Sequence, residues 1–167
     1  GLDRGTTTLV RGPAGAGKSA LALQFLSAAL ARGERALFIS FDENRRNFER
    51  RAIALSMPVA EALADGRLTF MRVASADLSP GEFAHIVRQH VENGMRAIVV
   101  DSLSGYQRAM PEVSNLLLHL HELLNFLNRQ GVLSVLVAAD TLVDGAYYAP
   151  DHTTYLADTV LIVRLLD

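Results

Sequence analysis

A glycine-rich octapeptide leaves this chain few folds to choose from. Gly12-Pro13-Ala14-Gly15-Ala16-Gly17-Lys18-Ser19 reads G-x-x-x-x-G-K-S, the phosphate-binding P-loop pattern. Its context fits. Thr6-Thr7-Thr8-Leu9-Val10 before it is β-branched and apolar, like a short strand. Ala20-Leu21-Ala22-Leu23-Gln24-Phe25-Leu26 after it holds strong helix formers and no breaker. Strand, loop and helix bring several backbone N–H groups and a helix's positive end to one anion. Residues 12–20, with Ala20 as the last, form the predicted cradle. Lys18 is placed to reach the β- and γ-phosphates as a point charge, and Ser19 Oγ to ligate Mg²⁺. A chance match in a chain this long is on the order of one in a hundred. Lys18 is also the only lysine among 16 basic residues. A chain that otherwise uses arginine for every cation has lysine here.

The pattern along the chain alternates strands and helices. Residues 17–32 read as a helix that is apolar nearly all round, hence buried on more than one side. Ala36-Leu37-Phe38-Ile39-Ser40-Phe41 is a continuous apolar strand, and Asp42-Glu43-Asn44 follows at the end where open α/β sheets bind ligands. Residues 45–56 read as a helix with Phe48, Ala52, Ile53 and Leu55 inward. Its arginines 45, 46, 50 and 51 read as a solvated face. A short helix near 59–64 and a strand at 67–73 come next. Ser79-Pro80-Gly81-Glu82 is a helix start with a capping box.

Ala97-Ile98-Val99-Val100-Asp101 is an apolar strand ending in one carboxylate, the Walker B form. About 80 residues after a P-loop it is expected to hold Mg²⁺ next to the phosphates, usually through water. Ser102-Leu103-Ser104-Gly105 reads as a polar loop leaving the sheet. A long helix is expected from 111 to 129, a strand at 132–138, an irregular loop at 140–155 and a last strand at 159–166. His85, His90, His119 and His121 lack partners at metal-ligand spacing. The fold class is therefore α/β, a three-layer α/β/α arrangement on a mainly parallel sheet.

Composition bounds the rest. A length of 167 residues, half of them hydrophobic, makes one domain over 1–167 with a substantial core. A net charge of −2 gives no reason to expect nucleic acid or an anionic membrane as partner. The absence of cysteine excludes disulfides and thiolate metal sites. It leaves the compartment open, and for a chain built to bind a nucleotide a cytoplasmic location is expected. No apolar run reaches the length of a membrane span. The chain opens on Gly1 and stops after an apolar run at Asp167, so a fragment cut at both ends is expected.

The P-loop, Phe41-Asp42-Glu43, Val100-Asp101-Ser102-Leu103-Ser104 and Tyr155-Leu156-Ala157-Asp158-Thr159-Val160-Leu161-Ile162-Val163-Arg164 together resemble the KaiC-type branch of the RecA-like ATPases. The resemblance runs along nearly the whole chain, and the last segment is its most branch-specific part. It implies a RecA-like P-loop core, ATP and Mg²⁺ as ligands, and a homo-oligomer, usually a hexameric ring, with ATP between subunits. It also implies that one acid of the pair Asp42-Glu43 orients the attacking water. The family's commoner first acid is Glu, and Asp42 is one methylene shorter. Both are named, and Glu43 is favoured on reach. KaiC-type domains continue into strands whose Lys and Arg touch the neighbour's phosphates. Without those, slow turnover is expected. Positions that receive phosphate in one KaiC domain match Thr154 and Tyr155, with Thr153 beside them.

Two other functions share the fold. A DNA recombinase or helicase motor needs cations and stacking aromatics on two loops. The first would use Tyr106 and Arg108. The second, residues 140–158, carries Asp140, Asp144, Asp151 and Asp158 with Tyr147, Tyr148 and Tyr155, and no Lys or Arg. Its charge repels phosphate. A non-catalytic nucleotide-binding module would keep Lys18 and Ser19 but need no working acid.

Overall fold

The computed structural model describes residues 2–74, 78–111, 113–143, 146–148 and 153–165. In chain order the elements are β1 (Thr7–Gly12), α1 (Lys18–Ala31), β2 (Arg35–Ser40), α2 (Arg45–Ala54), α3 (Val59–Ala64), β3 (Leu68–Arg72) and α4 (Pro80–Glu92). Then come β4 (Met95–Asp101), α5 (Leu103–Ala109), α6 (Leu116–Arg129), β5 (Leu133–Ala139), β6 (Thr141–Val143), β7 (Ala146–Tyr148), a 3₁₀ turn at Thr154–Leu156 and β8 (Thr159–Ile162). Six strands form one parallel sheet in the order β3-β2-β4-β5-β1-β8.

Strand side chains alternate between the two faces of the sheet, and each face has its own core. Leu9, Leu37, Ile39, Ile98, Val100 and Leu136 pack with Phe83 and Val87 of α4, Tyr106 of α5 and the leucines of α6. Val10, Ala36, Phe38, Ala97, Val99, Val135 and Val137 pack with α1, α2 and α3. The expected three-layer α/β/α fold is what forms. No described helix is long and apolar enough to cross a membrane.

Several local expectations are corrected. Ile53 and Leu55 are exposed, not inward. Phe48 and Ala52 stand one turn apart and make the inward stripe of α2. Ile53 lies a further 100° or so around the axis, and Leu55 falls on the C-cap where the helix stops. The docking of α2 rests largely on Phe48, whose ring meets Phe38 at 4.6 Å and Phe70 at 4.8 Å. Its burial contributes about 2–3 kcal/mol. Residues 102–105 are not a polar loop. Ser102 caps α5, its Oγ accepting from the Gly105 amide at 3.2 Å. The long helix begins only at Leu116, after Asn115 at φ 59°. Within 140–155, β6 and β7 pair as an antiparallel hairpin, Leu142 opposite Tyr147. Its joining pair Asp144-Gly145 is a strong hairpin signal that the irregular-loop reading passed over, and it lies outside the described residues. The last strand ends at Ile162. The α4 capping box forms as expected, Ser79 N–H donating to Glu82 Oε2 at 2.7 Å.

Gly105 sits where α5 crosses β2's exit. A Cβ there would lie 2.4 Å from Phe41 Cβ. Gly105→Ala should therefore push Phe41 and the adjoining acids, costing roughly 1–3 kcal/mol. A chain of this size should melt about 3–10 °C lower, read by calorimetry.

Candidate functional site

The sheet brings the three predicted segments to one edge. Ser40, the last residue of β2, pairs with Asp101, the last of β4, and Asp101 with Val137 of β5. Gly12 ends β1 beside Ala139. Gly12 holds φ 155°, and a Cβ on it would lie 2.2 Å from the Val163 carbonyl oxygen, so the loop leaves the sheet where only glycine fits. Gly17, at φ 87°, starts α1 with no side-chain cap, and no acid stands in the first turn. The positive end of α1 is left without a negative partner of its own. Among the described residues no acceptor meets the amides of Gly15, Gly17, Lys18 or Ser19. The cradle Gly12, Pro13, Ala14, Gly15, Ala16, Gly17, Lys18, Ser19 and Ala20 is one contiguous turn into a helix, as the motif requires.

Lys18 is the buried cation of this turn, only 8% exposed. Its Nζ donates to the Pro13 carbonyl at 2.7 Å. Burial pulls its pKa below the ordinary lysine value, against the opposite pull of Asp101 and Asp140. Asp101 is shifted the other way. Burial raises its pKa, while a hydrogen bond from Ser19 and the charge of Arg51 lower it. Both charges are thus held at an electrostatic cost, the pattern of groups placed for binding.

The paired acids are split between two arginines. Ser40 Oγ accepts from the Glu43 amide at 2.9 Å and turns the chain back over the strand end. Asp42 Oδ1 accepts from Arg108 of α5 at 2.7 Å, and Ser102 Oγ lies 3.5 Å from its other oxygen. Glu43 Oε2 accepts from Arg51 of α2 at 2.6 Å. The Asp42–Arg108 pair is 60% exposed on both sides, worth about 1 kcal/mol or less. The Glu43–Arg51 pair is only about a quarter exposed and is the firmer of the two. A cleft of about 400 Å³ has Ser19, Asp101, Asp42 and Glu43 on its wall, together with Ser40, Asn47 and Arg51. Another, of about 480 Å³, opens beside Pro13, with the Arg11–Asp140 pair at 3.1 Å in its wall.

So Ser19, Asp42, Glu43 and Asp101, predicted from three separate segments, line one cleft. Arg51 joins them, although the arginines of α2 read as a solvated face. Three residues on from Phe48, it stands on the flank of the buried stripe rather than opposite it. Arg108, in the last turn of α5, is exposed and ion-paired with Asp42. Tyr106 is 1% exposed in the core, its hydroxyl pKa raised by burial, and offers no stacking face. Of the acids in 140–158, Asp140 is paired with Arg11 and Asp158 accepts from the Thr7 amide at 2.8 Å, while Asp144 and Asp151 lie outside the described residues. Thr153 is buried, and Thr154 and Tyr155 are exposed on the 3₁₀ turn before β8. His90 is half-buried, which lowers its pKa together with the charge of Arg35. Among the described residues no three His, Cys, Asp or Glu cluster to hold a metal unaided. Mg²⁺ needs no such cluster, since one or two protein oxygens and the substrate phosphates suffice. The Ser19 hydroxyl beside the buried carboxylate of Asp101 is a donor set of that kind.

A P-loop between β1 and α1 on a parallel sheet, with an aspartate at the end of β4, defines a P-loop core of RecA-like fold. The family model described as "ATPase: KaiC" matches residues 1–166, and the chain belongs to that family. "Circadian clock protein KaiC3" from Synechocystis sp. is 26% identical over 174 residues, covering 98% of this chain and 34% of that protein. "Circadian clock oscillator protein KaiC" from Acaryochloris marina is 33% identical over 78 residues, 46% of this chain and 15% of that one. This chain therefore spans about a third of the first relative and less of the second. The crystal structure of a KaiC-like protein from Pyrococcus horikoshii OT3 superposes with TM-score 0.79 at 21% identity, over 99% of this chain and 74% of that one, and shares the fold.

Proposed function

We propose that this domain binds MgATP on residues 12–20 and hydrolyses it slowly, as an ATP-driven assembly or signalling switch. The observation that carries the reading is Lys18. It is a desolvated ammonium parked on Pro13, at the mouth of uncapped amides, with Ser19, Asp101 and two acids lining the adjoining cleft. An anionic phosphate there would offset the cost of burying it.

The roles follow from chemistry at each atom. The backbone amides and Lys18 Nζ would bind and orient the β- and γ-phosphates. Ser19 Oγ and Asp101 would hold Mg²⁺, which supplies charge neutralisation on the phosphate oxygens. Glu43, with Asp42 as the second acid, would accept the hydrogen bond of the attacking water and orient it. Slow turnover is expected because the one cation described on the cleft wall, Arg51, is already paired with Glu43. Transferring phosphoryl groups are hydrolysed fast only when a further cation neutralises them.

A DNA motor finds little support. Tyr106 is buried and Arg108 is paired, so the first loop offers neither stacking face nor bare cation. A homo-oligomeric ring and a cytoplasmic site are carried here as parts of the proposal. So is autophosphorylation at Thr154 or Tyr155, to be read as added mass after incubation with ATP. The direct test is phosphate release run beside light scattering, with and without MgATP. Saturable, metal-dependent release on the scale of minutes, with a rise in mass on adding nucleotide, is expected. No release and no nucleotide binding at millimolar MgATP would overturn the assignment.

A further inference from the structure

Arg51 has no place in the roles above, yet it is built into the cleft. It belongs to a run of four arginines on α2, of which Arg45 is tied to Glu49 on the surface at 2.7 Å. Arg51 alone of the four stands three residues beyond Phe48. That spacing sends its side chain along the buried stripe, with the guanidinium 5.9 Å from the Phe48 ring. Phe48 is itself wedged between Phe38 and Phe70, so the helix carrying Arg51 is fixed against β2 and β3. From there Arg51 Nη2 donates to Glu43 Oε2 at 2.6 Å. Its Nη1 is buried without a hydrogen-bond partner among the described residues.

Glu43 is gripped by one oxygen only. Among the described residues nothing donates to its Oε1. A flexible glutamate at the end of a strand loses much of its reach to rotamer freedom. A tether on one oxygen removes that freedom and leaves the other for a water molecule.

We propose that Arg51 is the positioning residue for Glu43: it holds one carboxylate oxygen so that the other faces the water attacking the terminal phosphate. This rests on the reading of the cleft as an ATP hydrolase and adds a residue to it. Arg51 does not itself bind nucleotide in this scheme. Its effect belongs in turnover and passes wholly through Glu43.

The test uses the whole chain in four forms: parent, Glu43→Gln, Arg51→Met and the double variant, with Arg51→Lys alongside. Turnover, KM for MgATP, affinity for a fluorescent ATP analogue and melting temperature are read for each. Glu43→Gln is expected to lower kcat about a hundredfold. Arg51→Met should lower kcat roughly tenfold, with KM and analogue affinity within about twofold of the parent. Arg51→Lys, which keeps the charge but not the fork, should recover part of that loss. On the Glu43→Gln background Arg51→Met should change kcat by no more than about twofold. Three results overturn the inference alone: parental turnover in Arg51→Met, a matching loss of nucleotide affinity, or a further tenfold loss on the Glu43→Gln background. Parental turnover in Glu43→Gln sinks the role of Glu43, and the inference with it. If Arg51→Met melts far below the parent, Arg51→Lys and its double with Glu43→Gln decide the matter by the same comparison.

Discussion

Lys18→Met is expected to weaken MgATP binding by roughly a hundredfold while the ligand-free protein stays as stable as the parent. The loss follows from what the ammonium does. A charge-assisted hydrogen bond to phosphate contributes about 1.5–3 kcal/mol, and each 1.4 kcal/mol is a factor of ten. The unaltered stability follows from what it costs. Burial lowers the Lys18 pKa, so the folded state binds this proton less tightly than the unfolded chain. Stability from this group therefore rises with pH between the lowered folded value and the unfolded value near 10.5, and at neutral pH the full cost is present. Methionine removes that cost together with the hydrogen bond from Nζ to the Pro13 carbonyl, so the two changes offset, and it keeps an apolar stem of similar length. The Pro13 carbonyl is not orphaned, because it also accepts from the Ala16 amide at 3.3 Å. Titration with a fluorescent ATP analogue, beside calorimetry without nucleotide, checks both halves. Parental affinity in the variant would refute the placing of Lys18 on the phosphates.

Asp101→Asn is expected to lower metal-dependent turnover by about a hundredfold or more and to raise the melting temperature of the ligand-free protein at neutral pH. The two effects have one origin. Burial raises the Asp101 pKa above its unfolded value. The folded state then holds the proton more tightly than the unfolded chain, and stability falls as pH rises through that interval. Above it the charged, desolvated carboxylate carries its whole cost. Asparagine carries none, so the variant should melt above the parent at pH 7 and converge with it in acid. Mg²⁺ with ATP should stabilise the parent strongly and the variant less. A variant that melts below the parent at pH 7 would show that Ser19 and Arg51 already compensate the charge. One that keeps full turnover with Mg²⁺ would remove Asp101 from the metal site.

Part of this chemistry is open to reading in the sequence alone. The P-loop was legible because its chemistry is contiguous: one short string of glycines and a lysine must supply the turn, the amides and the charge. The apolar runs of β2, β4 and β5 were legible because strands covered on both faces admit nothing else. The start of α5 was not. Ser102-Leu103-Ser104-Gly105 looks polar and breakable, and the reason for its glycine is Phe41, some 60 residues earlier and packed against it. Tyr106 was misplaced with it. The role of Arg51 was not legible either, since four arginines in seven residues look alike until Phe48 defines the buried side.

From residues alone one could name the groups that act on phosphate, because each kind of side chain brings a fixed charge and reach wherever it lies. Local strings also set the strands and helices, through period and capping. What folding added was the pairing of those groups across the chain: Asp42 with Arg108 and Glu43 with Arg51, with Ser19 and Asp101 brought to one cleft wall. Such pairings depend on which strand ends lie side by side and which face of a helix is inward. Those are matters of packing between distant segments, and no short stretch carries them.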